Sequence, residues 1–336
     1  MIEAAISDVR DGHSLDRARA RDVMREIMGG TSAQAEITAF LAALAAKGET
    51  AEEITGFAEV MREHVVPVTP TREPVVDIVG TGGDSAGTFN ISTTSALVAA
   101  AAGAAVAKHG NRAASSACGA ADVLEALGFE LEQPPERIAE SSDKFGFGFL
   151  FARVHHPAMR HAAPSRQELG TRTVFNILGP LSNPAGARDG VFGVYAPELA
   201  RTYAETLAGL GARRAFVVHG DGGLDELSPT GTNLVVEVRD GDVSEWELDP
   251  RSLGIYPADP ASVRGGSAAE NAAALRAVLT GERSGRRDAV LLNAGAALVT
   301  ASIADDLGEG LAIAAEAIDS GAAAARLDDL REFSHG

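Results

Sequence analysis

The sequence predicts an α/β protein with a small all-helical N-terminal domain and a large α/β domain, whose mostly parallel central sheet is covered by helices. Three observations support this prediction. Apolar residues recur at helical intervals behind helix-start signals near the N-terminus. Prolines at positions 67, 70 and 74 then form a stiff connector. Beyond it, short β-prone runs alternate with helical patterns, as in parallel sheets flanked by helices.

Three helices are predicted in the small domain, which we place at residues 1–66, followed by a hinge at 67–74. Their start signals are Ser14, Thr31 with Gln34, and Thr50 with Glu53. The two pairs have the spacing of a capping box. The apolar faces of these helices consist of Val23, Ile27, Ile37, Phe40, Leu41, Leu44, Ile54, Phe57 and Val60. Such faces require a packing partner.

The large domain is predicted over residues 75–152 and 185–336. Strands are expected at 75–79, 104–107, 191–195, 215–219 and 234–238. Helices are expected near 91–102, 119–127, 135–143, 197–210 and 267–280. From Ser267, which with Glu270 has capping-box spacing, three closing helices are predicted.

Residues 153–184 interrupt the alternation of strands and helices. This segment is helical in pattern, basic and rich in prolines, so we expect it to pack with the N-terminal domain. Trp246 is expected in a polar loop with a structural role.

Composition narrows the class of protein. The formal net charge of −18 disfavours non-specific binding to nucleic acid or to an anionic membrane. The single cysteine, Cys118, excludes an internal disulfide and a cysteine-based zinc cluster. No apolar run reaches transmembrane length. We therefore expect a cytoplasmic protein without nucleic-acid or membrane partners.

The stretch from residue 75 to 94, VVDIVGTGGDSAGTFNISTT, reads as strand, glycine loop and helix start. Backbone N–H groups at such a junction suit an anion. A dinucleotide fingerprint requires glycine where Ser85 stands, and a P-loop requires lysine where Thr88 stands. The loop offers Gly80, Gly82, Gly83, Asp84, Thr88, Asn90, Ser92 and Thr93. Because an acidic residue repels bare phosphate, Asp84 points to a sugar phosphate or a bound metal.

A basic turn is predicted after the second strand. It contains Lys108, His109, Gly110, Asn111 and Arg112 and is followed by Ser115 and Ser116. Two cations, a glycine and hydroxyl groups in one turn suit a diphosphate. An exposed basic turn without a ligand is the alternative.

Adjacent carboxylates stand in a glycine-rich loop after another predicted strand. Asp225 and Glu226 can both turn toward one ligand there, and carboxylate oxygens are what Mg²⁺ prefers. A solvated acidic turn is the alternative, and for an isolated Asp-Glu pair it is the commoner case.

The basic segment carries candidate side chains for a carboxylate. Arg166, with Arg172 nearby, could clamp a carboxylate through paired hydrogen bonds, or pair within the helical bundle. His155, His156 and His161 lack metal-site spacing and are interpreted as partly exposed helix histidines. Cys118 has no evident base partner, so we do not expect a nucleophile there.

Taken together, these motifs resemble the anthranilate phosphoribosyltransferases over almost the whole chain. The matching stretches are DIVGTGGD at 77–84, FNIST at 89–93, KHGNR at 108–112, ADVLEALG at 121–128, HPAM at 156–159, ELGTRTVFNILGPLSNPA at 168–185 and GLDELSP at 223–229. The resemblance implies a nucleoside-phosphorylase-like fold and a homodimer joined through the small domains. It implies transfer of phosphoribosyl from phosphoribosyl pyrophosphate (PRPP) to anthranilate, the second step from chorismate to tryptophan.

Residue roles follow from the same resemblance. PRPP would be held by Gly80, Gly83, Asp84, Thr88, Asn90, Ile91, Ser92, Thr93, Lys108, Asn111, Arg112, Ser116 and Ala120. Mg²⁺ would be held by Ser92, Asp225 and Glu226, and anthranilate by Gly80, Asn111 and Arg166. Lys108, Asp84 and Arg166 would act in catalysis, while His156 and Pro180 would shape the entrance.

The resemblance has small departures, and two other functions remain open. Ala117, Cys118 and Ala120 stand where the family often has lysine or a larger residue and two serines, so each removes a possible pyrophosphate contact. A pyrimidine nucleoside phosphorylase shares the fold, but KHGNR with Arg166 argues against it. A non-catalytic nucleic-acid-binding relative conflicts with the acidic net charge and would not need the Asp-Glu pair.

Overall fold

The computed structural model describes residues 1–84, 86–113 and 117–336. Within them, the N-terminal part forms four helices instead of the predicted three. They are α1 (Ile2–Arg10), α2 (Arg17–Met28), α3 (Gln34–Lys47) and α4 (Ala51–Glu63). Sequence analysis does not predict α1 because its N-cap, Met1, provides no side-chain cap.

Of the three predicted N-terminal start signals, only the one at α4 is confirmed. Thr50 and Glu53 form a capping box, in which the Thr50 N–H donates to Glu53 Oε2 at 2.9 Å and the Glu53 N–H donates to Thr50 Oγ1 at 3.3 Å. Helix α2 is capped by Asp16 instead of Ser14. A carboxylate is favoured there because it also interacts with the helix dipole.

The predicted pair Thr31 and Gln34 does not cap α3. The N-cap is Ala33, whose N–H donates to Glu36 Oε2 at 2.7 Å. The Glu36 carboxylate thus satisfies the N-cap N–H without a hydroxyl residue at the cap.

Glu53 is fully buried and ties three segments of the N-terminal helices together. Its carboxylate accepts hydrogen bonds from the Leu15 N–H at 2.9 Å, the Thr50 N–H at 2.9 Å and Lys47 Nζ at 2.9 Å. Replacing Glu53 with alanine would leave the Lys47 ammonium, only 9% exposed, without its partner. Removing one member of a buried pair typically costs about 3–5 kcal/mol.

We therefore expect Glu53→Ala to lower the free energy of unfolding by about that amount, measured by urea denaturation. Glu52→Ala, at the exposed neighbouring position, is the control and should change it by less than about 0.5 kcal/mol. Equal effects of the two substitutions would contradict the prediction.

Seven strands form one sheet in the described residues. They are β1 (Val75–Gly80), β2 (Ala105–Gly110), β3 (Phe147–Phe151), β4 (Asp189–Gly193), β5 (Arg214–His219), β6 (Asn233–Arg239) and β7 (Asp242–Leu248). Their order is β3-β2-β1-β4-β5-β6-β7. The first five are parallel, and β6 and β7 are antiparallel additions at one edge. The predicted mostly parallel sheet is confirmed.

Two of these strands are absent from the sequence prediction. The run FGFLF of β3 directly follows a helix, and its continuous apolar character does not distinguish a strand from a helix. β7 is an edge strand rich in charged residues. Trp246 lies in β7, not in a polar loop, and its ring packs edge-to-face on Phe216 with the ring centroids 6.1 Å apart. Its structural role is confirmed.

Helices cover the sheet. They are α5 (Ile91–Ala101), α6 (Ala120–Ala126), α7 (Pro135–Phe145), α8 (Ala152–His155), α9 (Ala163–Leu169), α10 (Phe175–Leu181), α11 (Pro197–Gly209), α12 (Ala268–Leu279), α13 (Gly285–Thr300), α14 (Leu307–Asp319) and α15 (Ala322–Ser334). The chain closes with four helices, α12 to α15, where three are predicted. The capping box of Ser267 and Glu270 at α12 is confirmed. No helix of the described residues is long and apolar enough to cross a membrane.

The two faces of the sheet pack into separate cores. On one face, Val76 and Ile78 join apolar side chains of α5 and the closing helices. On the other, Val79 and Phe192 join the N-terminal helices, α10 and α11. The apolar faces predicted for the N-terminal helices are buried in this second core.

The segment 153–184 packs on the N-terminal helices, as expected. Ser165 Oγ donates to the Gln34 carbonyl at 3.1 Å, and Thr38 Oγ1 donates to Glu168 Oε2 at 3.0 Å. The division of the chain into domains and the hinge at 67–74 stay predictions.

Candidate functional site

The sheet order reverses at β1, which lies between β2 and β4. Connections leave β1 and β4 toward opposite sides, so a crevice opens beyond their carboxyl ends, where ligands of such sheets bind. The glycine loop and the Asp225 loop meet at this place. The Gly82 N–H donates to Asp225 Oδ2 at 2.6 Å, and the Ser92 N–H donates to Glu226 Oε1 at 3.1 Å.

Glycines allow this close approach. A Cβ at Gly80 would lie 2.1 Å from Asp225 Oδ2, and one at Gly193 would lie 1.5 Å from the Asp225 carbonyl oxygen. Gly82 and Gly83 have φ angles of 71° and 79°, which side-chain-bearing residues rarely adopt. The loop conformation therefore depends on glycine at these four positions.

Asp225 is buried and Glu226 half-buried, and both carboxylates lie near a third, that of Asp84. Burial, followed by the nearby charge of Asp84, raises the pKa of Asp225 to about 6. Burial, followed by the charges of Asp225 and Asp84, raises the pKa of Glu226. Glu226 Oε2 is buried without a hydrogen-bond partner among the described residues. A cation would relieve both the repulsion and the unpaired oxygen.

These carboxylates do not form a complete metal cage on their own. Within the described ranges, no group of three or more His, Cys, Asp or Glu side chains is arranged to hold a metal ion. Mg²⁺ is commonly held by one or two carboxylates together with substrate phosphates and waters. The unpaired Glu226 oxygen beside Asp225 fits such a shared Mg²⁺ site.

Lys108 lies inside β2. The prediction that it belongs to a turn after the strand is wrong. Its side chain is 2% exposed, and Nζ donates to the His109 carbonyl at 3.1 Å. Burial lowers the pKa of Lys108, while the charges of Asp77, Glu226 and Asp225 oppose this shift. The ammonium thus sits in a desolvated position near the acidic pair.

Arg112 does not face the glycine loop in this structure. Its guanidinium is exposed and pairs with Asp122 at 3.0 Å and Glu125 at 2.7 Å. Side-chain hydrogen bonds to these carboxylates raise the pKa of Arg112. A phosphate contact by Arg112 would require these ion pairs to open. Ser115 and Ser116, which belong to the same predicted site, lie outside the described residues.

Other predicted PRPP residues line the start of α5. Asn90 Nδ2 donates to the Cys118 carbonyl at 3.3 Å, and Asn90 Oδ1 accepts from Asn271 Nδ2 at 2.9 Å. Ile91 and Thr93 are buried, and Thr93 Oγ1 has no partner among the described residues.

Three further predicted residues lie around this helix start. Thr88 forms an isolated bridge with Arg264, which fastens the glycine loop to the chain before α12. Asp84 Oδ1 accepts from the Ala86 N–H at 3.3 Å, and Ala120 begins α6.

A cleft of about 710 Å³ adjoins the glycine loop and the end of β2. Its lining includes Gly80, Asn111, His156, Arg166 and Pro180, which brings together the residues predicted for anthranilate and for the entrance. Burial lowers the pKa of Arg166, with no charged neighbour in the described chain raising it. An arginine in that setting suits a carboxylate ligand.

One of the three histidines in the basic segment, His155, differs from its interpretation as partly exposed, while His156 and His161 are half-buried. His155 is fully buried, and its Nδ1 lies 2.8 Å from the Val66 carbonyl oxygen. His156 Nε2 lies 3.1 Å from His109 Nε2. Burial lowers the pKa of His156 to about 4, so this pair is neutral near pH 7.

Arg172 reaches from the basic segment to the glycine loop. Its Nη2 donates to the Gly83 carbonyl, and its guanidinium lies 4.0 Å from the centroid of the Tyr195 ring. Sequence reasoning placed this residue near a carboxylate, but its contacts support the loop instead.

Sequence reasoning missed two buried polar residues beneath the site, Asp77 and Asn183. Their side chains are hydrogen-bonded to each other at 2.7 Å. The available signal was a carboxylate within the apolar strand VVDIVG, which demands a partner when buried.

Comparisons with known proteins agree with this geometry. Residues 3–65 match the glycosyl transferase family, helical bundle domain, and residues 72–324 match the glycosyl transferase family, a/b domain. The anthranilate phosphoribosyltransferase of Moorella thermoacetica is 51% identical over 97% of this chain and 96% of its own.

Solved structures extend the similarity to the fold. Anthranilate phosphoribosyltransferase from Thermus thermophilus has a TM-score of 0.94 at 49% identity, covering 99% of both chains. The Saccharomyces cerevisiae protein in complex with PRPP and Mg has a TM-score of 0.90 at 28% identity, covering 99% of this chain and 98% of its own. The yeast protein in complex with 4-fluoroanthranilate has a TM-score of 0.87 at 27% identity, covering 100% and 99% of the two chains.

Proposed function

This chain belongs to the anthranilate phosphoribosyltransferases of the glycosyl transferase family, and from that premise we propose how its residues carry out the reaction. The enzyme transfers 5-phosphoribosyl from PRPP to the amine of anthranilate, giving N-(5′-phosphoribosyl)anthranilate and pyrophosphate, in tryptophan biosynthesis. The observation that supports this proposal best is the grouping of the Asp225–Glu226 pair, the buried Lys108 and the cleft that contains Arg166 at one end of the sheet.

The glycine loop and the end of β2 hold PRPP in this proposal. Backbone N–H groups near Gly83 and at the start of α5 face the phosphates, as helix N-termini do for anions. The Asp84 carboxylate accepts a hydrogen bond from a ribose hydroxyl or acts beside the metal. The full set is Gly80, Gly83, Asp84, Thr88, Asn90, Ile91, Ser92, Thr93, Lys108, Asn111, Arg112, Ser116 and Ala120.

Mg²⁺ would be held by Ser92, Asp225 and Glu226, where the unpaired Glu226 oxygen supplies a ligand. When bound, Mg²⁺ would neutralise charge that develops on pyrophosphate as the bond to ribose C1 breaks. Lys108 adds a positive charge from the buried end of β2, where a low dielectric strengthens its effect.

Arg166 holds the anthranilate carboxylate, with Gly80 and Asn111 completing the cleft. The aromatic amine is unprotonated at neutral pH, so correct placement beside ribose C1 supports attack without a strong base. We therefore name no general base. The neutral pair His109 and His156 and the ring of Pro180 shape the entrance.

The test is the loss of anthranilate fluorescence when the protein is mixed with PRPP and Mg²⁺. Decay should require all components. Arg166→Gln should raise the KM for anthranilate at least tenfold, because a charge-assisted contact to the carboxylate is lost. Arg201→Gln is a matched control, since Arg201 is an exposed arginine that pairs with Glu205 on α11.

The control variant should have an unchanged KM. Absence of decay in a sample where an active reference enzyme works would refute the reaction. Equal KM values for Arg166→Gln and the wild-type enzyme would instead refute the carboxylate role of Arg166 alone.

Assembly and location are further parts of this proposal. We place the enzyme in the cytoplasm, as a homodimer joined through the small helical domain. The acidic net charge of −18 agrees with the absence of nucleic-acid partners. Light scattering coupled to gel filtration measures the subunit number directly.

A further inference from the structure

The strands β1 and β2 separate just where the site begins. In these two fully described strands only Val75 with Ala105 and Val76 with Val106 are paired. By contrast, β1 stays paired with β4 as far as Gly80, and β2 stays paired with β3 as far as Gly110. Backbone pairing between β1 and β2 therefore stops after Val76 and Val106, which leaves an unpaired opening between these two strands below the glycine loop.

The Asp77 carboxylate occupies the start of this opening. It is fully buried, and its Oδ1 accepts a hydrogen bond from the His109 N–H at 3.2 Å. A side chain of β1 thus takes the place of a backbone acceptor for the N–H of the neighbouring strand.

Asn183 fixes the other side of the carboxylate. Its Nδ2 donates to Asp77 Oδ2 at 2.7 Å and to the Ala107 carbonyl at 2.8 Å, so it bridges β1 and β2. Its Oδ1 accepts from the Ala185 N–H at 2.8 Å, which fixes the orientation of the amide. The carboxylate thus accepts from β2 on one oxygen and from Asn183 on the other, and the Ile78 N–H donates to it as well.

Burying the Asp77 carboxylate lowers the stability of the folded protein, which a purely structural residue would not need to do. Burial raises the pKa of Asp77 to about 6, above its value of about 3.9 in an unfolded chain. The folded protein therefore binds the proton more tightly, and it loses stability as the pH rises from about 4 to about 6, after which the ionised carboxylate remains a net cost. A buried charge that lowers stability is more easily understood if it serves the site.

We propose that Asp77, clamped by Asn183, is a positioning residue that holds the carboxyl end of β2 apart from β1 and so places Lys108 and His109 under the substrates. The assignment rests on the proposed function, because Lys108 and Asn111 are the residues that β2 delivers to PRPP. Neither Asp77 nor Asn183 contacts a substrate in this arrangement.

Asp77→Asn tests the proposal with little change in volume. The asparagine has an acceptor oxygen on one side only and an NH₂ donor group on the other. It therefore cannot accept from both the His109 N–H and Asn183 Nδ2, which approach different oxygens of Asp77. Turning the Asn183 amide around would break its contacts with the Ala107 carbonyl and the Ala185 N–H. One of the two clamps must therefore be lost.

Asp189→Asn is the matched control. Asp189 is also a buried aspartate on the parallel sheet, and its Oδ1 accepts from the backbone N–H groups of Arg213 and Arg214 at 2.8 and 3.2 Å. It is the first residue of β4, so it lies at the amino end of the parallel strands, opposite the site. Its Oδ2 accepts from the Arg213 guanidinium at 2.7 and 3.0 Å, so the control also loses a charged acceptor on the sheet, but without the proposed role.

Two measurements are made on the full-length wild-type protein and both variants. Hydrogen exchange followed by mass spectrometry reports the amides of residues 105–110 without any need for activity. Steady-state kinetics with PRPP and anthranilate gives kcat, which reports the state of the active site. It is measured at a temperature where each variant is folded. We expect Asp77→Asn to accelerate exchange in this segment at least tenfold and to lower kcat at least tenfold.

The control should keep both quantities within threefold of wild type. Unchanged exchange and kcat in Asp77→Asn, or equal losses in the two variants, would overturn the proposal. If Asp77→Asn does not fold, Asn183→Ala is measured against the same criteria. An inactive wild-type enzyme would refute the proposed function, while the exchange result would still decide whether Asp77 holds β2.

Discussion

Replacing Glu226 with glutamine is expected to lower kcat by about a hundredfold to a thousandfold, the typical cost of removing one group that stabilises charge in a transition state. The substitution keeps the shape and the acceptor for the Ser92 N–H at 3.1 Å. It replaces the unpaired Oε2 with a neutral amide group where a Mg²⁺ ligand is required. Activity as a function of Mg²⁺ concentration is the measurement, and the Mg²⁺ requirement should rise.

The same substitution should stabilise the metal-free protein. Burial and the charges of Asp225 and Asp84 raise the pKa of Glu226 in the folded state, so above the pKa of the unfolded chain this side chain lowers the stability of the fold. The wild-type protein regains stability as the pH falls and Glu226 takes up its proton. The advantage of Glu226→Gln in thermal unfolding should therefore shrink on acidification.

Asp221→Asn is the control for this pair of measurements. Asp221 belongs to the same loop, but it is exposed and accepts from Thr230 Oγ1 at 2.6 Å. Its kcat and Mg²⁺ requirement should match those of the wild type. If Glu226→Gln kept the wild-type Mg²⁺ dependence, the metal assignment would be wrong.

Lys108→Met is expected to lower kcat by a similar factor of about a hundred or more. Methionine fills the volume of the lysine stem but carries no charge, so the pyrophosphate leaving group loses a cation placed in a desolvated position. The protein should fold, because the substitution removes a buried charge whose desolvation is unfavourable. Single-turnover kinetics at saturating PRPP separates this loss from a change in binding.

Lys144→Met provides the comparison, since Lys144 is an exposed lysine at the end of α7. It should leave kcat unchanged. A Lys108→Met enzyme that retained more than a third of the wild-type kcat would show that this ammonium is not needed for bond cleavage.

The fold class follows from the sequence because local signals and hydrophobic periods agree over most of the chain. The central strands are apolar runs between turn residues, which sequence patterns reveal well. β7 escapes prediction because its half-exposed edge position allows charged residues such as Glu245. The helix α1 escapes it because no capping side chain precedes Ile2.

The sequence indicates which loops come together at the candidate site, but not how their side chains are arranged there. Motif order brings the glycine loop, the end of β2 and the Asp225 loop to one edge, and the structure places them there. Lys108 is assigned to a turn because a charged residue rarely lies inside a buried strand. Asp77 is missed because its partner, Asn183, is distant in sequence and only the fold brings them together.

The central position of β1 in the sheet also determines when this enzyme can become active during synthesis. β1 pairs with β4, and the glycine loop rests on Asp225, both of which are made long after β1 itself. The nascent chain therefore has to close a long loop before its central strand gains a second neighbour, which slows folding. Phe192 and Tyr203, which share a core with the N-terminal helices, also follow β1 in the chain, so this core is completed late. We therefore expect aggregation of this protein to start from incomplete chains, whose apolar surface lacks its later partners.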